Sequence, residues 1–235
     1  LQKDDWLAGA KIIFPISISY IPLGLACGIL LQQSGFHPFS VFMASLLIYG
    51  GASQFLIASM LLSGAAIIEI ITMVFFINLR HLLMASTFAK RLKRQSTRFN
   101  LLFAQIITDE SFAVNTMKFK VDKDWTPEKA LAAGIIAHMT WVGSTFIGSL
   151  LGNTIALSTV VMNYVLTAMF IFLLVSQMDN QIVVWTGIFG MAVAILLKLI
   201  LPSGIVILFA SVLASLFGLS LELFKDWKGA RLHES

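Results

Sequence analysis

Two adjacent carboxylates, Asp109 and Glu110, stand in a stretch of chain that is otherwise apolar. Neighbouring acids in such a setting cannot both ionise cheaply without a cation or water, so they are candidates for a proton relay or for holding an amine. The cations that could answer them lie upstream, in Asn78-Leu79-Arg80-His81, deep inside another apolar run. Asn78 and His81 fall on one face at i, i+3, while Arg80 points elsewhere in a regular helix. Arg80 has two readings: it snorkels toward the basic segment that follows, or it faces the interior and pairs with a carboxylate there. His138 is the third ionisable position. It lies on a seam with Gly134, Trp141, Thr145, Gly148 and Gly152, and reads either as a hydrogen-bonded packing residue or as a proton-handling group. An ionisable side chain at a helix centre costs about 2.5–3.5 kcal/mol on insertion, so each of these needs a reason. Glu69 and Lys198 lie near the ends of their runs, can reach the interface, and carry no hypothesis.

The backbone offers a second kind of chemistry. Tyr49-Gly50-Gly51-Ala52-Ser53-Gln54-Phe55 falls in the middle of an apolar run. A Gly-Gly pair is a poor helix centre and a good point to unwind. Unwinding there would expose the positive N-terminus of a half-helix, which suits an anionic group such as an amino-acid carboxylate. Pro15, Pro22, Gly24 and Gly28 in the first run predict kinks and close packing. Pro202-Ser203-Gly204 predicts a turn. Gln105, Thr108, Asp109, Phe112 and Thr116 are expected on one polar stripe of a single helix, with Glu110 about 100° away. A surface amphipathic helix is the alternative for that stretch.

The elements that must hold these residues are membrane helices. Hydrophobic residues make up 58% of the 235 and charged residues 12%. That is about half the charged share of a soluble domain, and the mean hydropathy is +0.89. Reading with a ruler of about 20 apolar residues gives runs at 12–31, 39–63, 65–88, 130–151, 154–176, 182–201 and 205–221, with a weaker one at 101–119. The runs are continuous rather than alternating, which excludes a closed β-barrel. The first run is too long to be a cleaved signal peptide. The expected fold is therefore all-α: a polytopic transmembrane helix bundle with about 6–8 membrane segments, at least one of them broken or re-entrant. It is read as one transmembrane domain over 1–235. Lys90, Arg91, Lys93, Arg94 and Arg98 form a basic segment without acids, which the positive-inside rule places in the cytoplasm. A nucleic-acid patch is a poor reading of so short a link between apolar runs. If one of the three runs before that loop dips in and returns, the N-terminus is cytoplasmic too, and the glycine break makes the second run the candidate. Cys27 is the only cysteine, so an internal disulfide and a cysteine-based metal cluster are excluded.

Together these motifs resemble the AzlC family of bacterial branched-chain amino-acid exporters. The resemblance rests on Ile18-Ser19-Tyr20-Ile21-Pro22, Ile48-Tyr49-Gly50-Gly51-Ala52-Ser53-Gln54-Phe55, Arg80-His81, and Thr108-Asp109-Glu110 with Phe112-Ala113. Their order and spacing match over roughly the first half of the chain; the second half agrees as a set of apolar spans. A second glycine replaces an alanine that relatives carry in the Gly50-Gly51-Ala52 stretch, which should loosen the break. The resemblance implies a multi-pass protein of the bacterial inner membrane that exports valine, leucine and isoleucine, with methionine as a further candidate. It also implies proton exchange and a small AzlD-type membrane subunit as partner.

Secondary transport of a small zwitterion is thus the leading expectation. Gly50, Gly51, Ala52, Ser53 and Gln54 would hold its carboxylate, and Tyr20 and Phe55 its aliphatic part. Asp109 or Glu110 would take the ammonium or the proton, tuned by Arg80 and His81, with His138 a further proton-handling candidate. No GxxxxGK[ST] is present, so no nucleotide hydrolysis is expected. A membrane-embedded enzyme is the weaker reading, since HExxH, GxSxG and a cysteine ligand are all missing. A channel is the other alternative. No cofactor or metal is expected.

Overall fold

In the computed structural model the described residues are 1–152, 154, 164, 167, 168, 171, 175, 178, 180–200 and 203–233. They are helical throughout, with turns and breaks between helices and no strand among them. The chain forms two compact units, 1–166 and 167–235.

In the first unit the helices are α1 (Lys3–Gln33), α2 (Pro38–Leu47), α3 (Gly51–Leu62), α4 (Ile67–Thr87), the single turn α5 (Ala89–Leu92), α6 (Thr97–Gln105), α7 (Asp109–Val121) and α8 (Pro127–Leu151). The second unit holds α9 (Gln181–Lys198) and α10 (Ser203–His233), packed against each other. Among the described residues α1, α4, α8 and α9 are long and apolar enough to cross a bilayer. The expected span at 154–176 lies largely outside the described residues, as does Pro202 of the expected turn; Ser203 opens α10.

The core of the first unit is the long contact of α1 with α8. The two run parallel: Gly9 meets Ala133, Gly24 meets Ser144, and Gly28 meets Thr145 and Ser149. Glycine is required at these points for space. A Cβ on Gly24 would collide with the Ser144 hydroxyl, one on Gly28 with the Thr145 carbonyl, and one on Gly148 with the Leu25 carbonyl. Backbones this close gain dispersion contacts that larger side chains would prevent, which is how helices associate where lipid removes the hydrophobic drive. α1 continues through Pro15 and Pro22 as one helix.

The second apolar run does not cross. Phe42 on α2 packs against Phe146 near the far end of α8, Ser45 meets Thr145, and Tyr49 lies on His138 at the middle of α8. At 48–50 the helix breaks and α3 begins. Where α3 ends is fixed by α4. The middle of α4 meets the break, through Asn78 on Ser53, and its C-terminal neighbour Phe88 packs against Phe119, ten residues down α7 from Asp109. α7 leads by a short turn into the start of α8, so α4 ends on the near side and begins on the far side. α3 therefore returns to the side from which α2 entered. Each half-helix is about 15–20 Å long at 1.5 Å per residue, half of a bilayer core of about 30 Å.

α6 and α7 form a second hairpin from the opposite side. Gln95, just before α6, bonds Glu128 at the start of α8 at 2.6 Å, and the break at 106–108 reaches the centre, where Thr108 meets Tyr20. The polar stripe expected from Gln105 to Thr116 is thus a correction: Gln105 ends one helix and Asp109 opens another, so they share no face. The sequence carried the signal. Thr108 with Ser111 makes a capping box and Asp109 and Glu110 fill the first turn, which is the signature of a helix start rather than a helix middle.

The resulting pattern is a helix and hairpin (α1, α2–α3) followed by an inverted helix and hairpin (α4, α6–α7). The register is constant. Tyr20 corresponds to Asn78, Leu47 to Gln105, Gly50 to Thr108 and Ser53 to Ser111, each 58 positions apart. Inverted repeats of this kind are a common plan of transport proteins.

Two measurements test this fold. Gly28→Leu should lower the thermal midpoint or prevent a monodisperse preparation, since overpacking costs about 1–3 kcal/mol or more. Gly143→Ala, where a Cβ meets nothing, should leave the midpoint within the scatter of the measurement. Single cysteines in place of Lys3 and Lys93, in a Cys27→Ser background, should react with a polar maleimide from the same side of the membrane.

Candidate functional site

Both breaks meet at the middle of the first unit, and the backbone groups they free are matched across the gap. The Leu47 carbonyl, at the end of α2, accepts a hydrogen bond from the Gln105 side chain at the end of α6. Ser45 C=O lies 3.2 Å from His138 Nε2. At membrane depth such pairing is obligatory, because no water replaces a missing partner.

The first break is tied to α8 by a buried ring of hydrogen bonds. Trp141 Nε1–H donates to Gln54 Oε1 at 2.6 Å, and Gln54 Nε2–H donates to Ser45 Oγ at 2.8 Å. Ser45 Oγ lies 2.7 Å from Thr145 Oγ1, which donates to the Trp141 carbonyl. Gln54 is fully buried with both ends of its amide engaged. Ser53 is similarly engaged, donating to the Gly50 carbonyl and Asn78 Oδ1. Ala52 and Phe55 are buried beside them. These four residues therefore shape the break, while the free backbone of α3 starts at Gly50 and Gly51.

The glycines serve space here as well. A Cβ on Gly50 would meet Ser53 Oγ and come within 3.2 Å of Asn78 Oδ1, with His81 Cε1 at 3.7 Å; one on Gly51 would press on the Trp141 ring at 3.1 Å. The positive φ of the turn falls on Tyr49, at +37°, a conformation that L side chains adopt at some cost. Its ring is held 4.1 Å from the His138 ring. Its hydroxyl is buried against Tyr20, Thr108 and Glu110.

At the second break Tyr20 donates to Glu110 Oε2 at 2.7 Å and lies 3.1 Å from Thr108 Oγ1. Arg80 Nη1 lies 2.9 Å from Asp109 Oδ2, with both side chains about one third exposed. The buried Arg80 Nε–H finds no acceptor. Glu110 has no cation partner among the described residues. His81 faces Gly50, and His138 sits beneath Tyr49; the structure thus gathers Tyr20, residues 50–55, Arg80, His81, Asp109, Glu110 and His138 around one centre.

The two half-helix N-termini differ in charge. α3 has no side-chain cap and no acid in its first turn, so its partial positive charge is uncompensated. α7 is capped by Thr108 and carries Asp109 and Glu110 in its first turn. Arg80 pairs with Asp109, which leaves Glu110 without a guanidinium partner at this end. Sequence reasoning passed over Tyr49, Asn78 and Gln105 as site residues. Asn78 and Gln105 gave a signal as polar residues inside apolar runs, but their partners, like the role of Tyr49, depend on distant contacts.

Broken hairpins opposed across a bilayer, meeting around ionisable side chains, make this a polytopic membrane protein with a polar centre. The chain belongs to the AzlC family, whose profile, described as AzlC protein, matches residues 15–155. It is 33% identical over 176 residues to an uncharacterized membrane protein of Archaeoglobus fulgidus, covering 74% of this chain and 76% of that protein. The branched-chain amino acid transport protein AzlC of Bacillus subtilis is 25% identical over 185 residues, covering 77% and 71%. The inner membrane protein YgaZ of Escherichia coli is 33% identical over 153 residues, covering 63% and 61%. No solved structure matches.

A double-mutant cycle tests the ion pair. Arg80→Gln and Asp109→Asn should each destabilise the protein, and the double variant should recover part of the loss, with a coupling of about 1–3 kcal/mol by unfolding in detergent. Zero coupling would mean the pair holds nothing together.

Proposed function

We propose that this chain is the large subunit of a secondary exporter of branched-chain amino acids, with valine, leucine and isoleucine as substrates and methionine as a further candidate. It acts in the bacterial inner membrane with a small AzlD-type subunit and exchanges substrate for protons. The basic segment at 90–98 and the N-terminus face the cytoplasm. The observation that carries the reading is the charge difference between the two half-helices. A zwitterion fits between them with its carboxylate on the uncapped amides of α3, at Gly51 and Ala52, and its ammonium toward α7. The name of the Bacillus subtilis relative supports the substrate class.

The two carboxylates have separate tasks. Asp109 is occupied by Arg80 and holds the hairpin to α4. Glu110 meets a hydroxyl rather than a cation, so it is the group that takes the ammonium or the coupling proton, oriented by Tyr20. Tyr49 turns its buried hydroxyl toward the substrate carboxylate, and His138 holds its ring. Ser53 and Gln54 keep the amides of α3 exposed toward the centre.

Export of labelled valine from loaded cells, with the small subunit co-expressed, tests this division. Glu110→Gln should abolish export. Tyr49→Phe, which keeps the ring contact, should weaken apparent affinity roughly ten- to a hundredfold, the scale of one hydrogen bond to a charged group. Export at the parent rate by Glu110→Gln would sink the assignment.

A further inference from the structure

A cavity of about 290 Å³ lies apart from the central site, between α1, the end of α7 and the start of α8. Lys11, Ile12, Lys118, Asp122, Trp125 and Lys129 line it. Its floor is fixed: the buried Trp125 indole N–H donates to Asn115 at 3.1 Å, and Lys118 Nζ sits 5.4 Å over the Trp125 ring while bonding Asp122 at 3.0 Å. That bond holds the Asp122 carboxyl below the usual carboxylate range, so it stays ionised at neutral pH and offsets one lysine. Lys129 Nζ donates to the Asp124 carbonyl at 2.7 Å, which orients it without neutralising it. Three lysines against one acid leave the cavity cationic.

Its depth is defined by sequence. Lys11 immediately precedes the apolar run of α1 and Lys129 that of α8, so both ammonium groups stand at the level of lipid headgroups. Below Lys11, on the same face of α1 at helical spacing, Phe14 and Ile18 are exposed. A phosphate at the lysines would therefore have an apolar track beneath it. The cavity opens on the side that carries the basic segment 90–98, as the Gln95–Glu128 bond requires.

We propose that this cavity binds the phosphate headgroup of an anionic phospholipid, with an acyl chain lying along Phe14 and Ile18. Basic pockets between membrane helices take such headgroups by charge attraction in a region of reduced dielectric. The bound lipid would tie α1 to the α7–α8 turn on the side opposite the α2–α3 hairpin.

Native mass spectrometry of the purified protein, titrated with phosphatidylglycerol or with phosphatidylcholine, tests this. The parent protein should retain phosphatidylglycerol in preference. Each lysine near an anionic headgroup contributes roughly fivefold, so Lys11→Gln/Lys129→Gln should bind it roughly 25-fold more weakly. Lys11→Glu alone, at an exposed position where folding is not at risk, should also weaken it. Lys90→Gln/Lys93→Gln, which removes equal charge from the same side outside the cavity, should bind as the parent does. Equal retention by the Lys11 and Lys129 variants, or an equal loss in the Lys90 and Lys93 variant, overturns the site. Displacement by millimolar inorganic phosphate overturns the lipid assignment in favour of a free anion.

Discussion

Every backbone amide and carbonyl inside a bilayer must find a partner, and the first unit is organised around two places where a helix cannot supply one. Interrupting α2–α3 and α6–α7 at mid-depth frees carbonyls at the end of one half-helix and amides at the start of the next. Gln105 answers Leu47, and His138 answers Ser45. The ring through Trp141, Gln54, Ser45 and Thr145 then fixes the first break to α8. The remaining orphan amides are the ones available for chemistry.

The two helix-and-hairpin repeats share their register but not their charge. Ser53 and Ser111 occupy equivalent places, each bonding back to the carbonyl of its own cap residue, Gly50 or Thr108. The central residue of each long helix serves the other repeat's hairpin: Tyr20 of α1 meets Thr108 and Glu110, and Asn78 of α4 meets Ser53. On this common frame one cap is a bare glycine and the other a threonine followed by two acids. A symmetric scaffold thus presents one bare helix N-terminus and one acid-bearing N-terminus to the same central space.

The rigidity of that space comes from α1 and α8. Their contact is close because Gly24, Gly28 and Gly148 carry no Cβ, and it brings Tyr20 and Trp141 edge to face at 5.5 Å. Tyr20 is thereby held for Glu110, and Trp141 for Gln54. A substitution at Gly28 acts on the site through this contact, about two helical turns along α1 from Tyr20.

The sequence by itself determined that the chain lives in a membrane, that it is helical, and that Gly50-Gly51 interrupts the second run. Each follows from local composition: apolar length, unbroken hydrophobicity and a residue pair that helices tolerate poorly. It also held the start of α7 in Thr108, Asp109, Glu110 and Ser111, a capping pattern that is local and readable. The glycine break marked the run 39–63 as the candidate for re-entry, and tertiary structure decided that it turns back, because a half-helix pair has the same composition as one full span. It also decided that Asp109 pairs with Arg80 while Glu110 meets Tyr20. Adjacent carboxylates are equivalent in a sequence, and only the packing of α7 against α4 and α1 sends them about 100° apart to different partners.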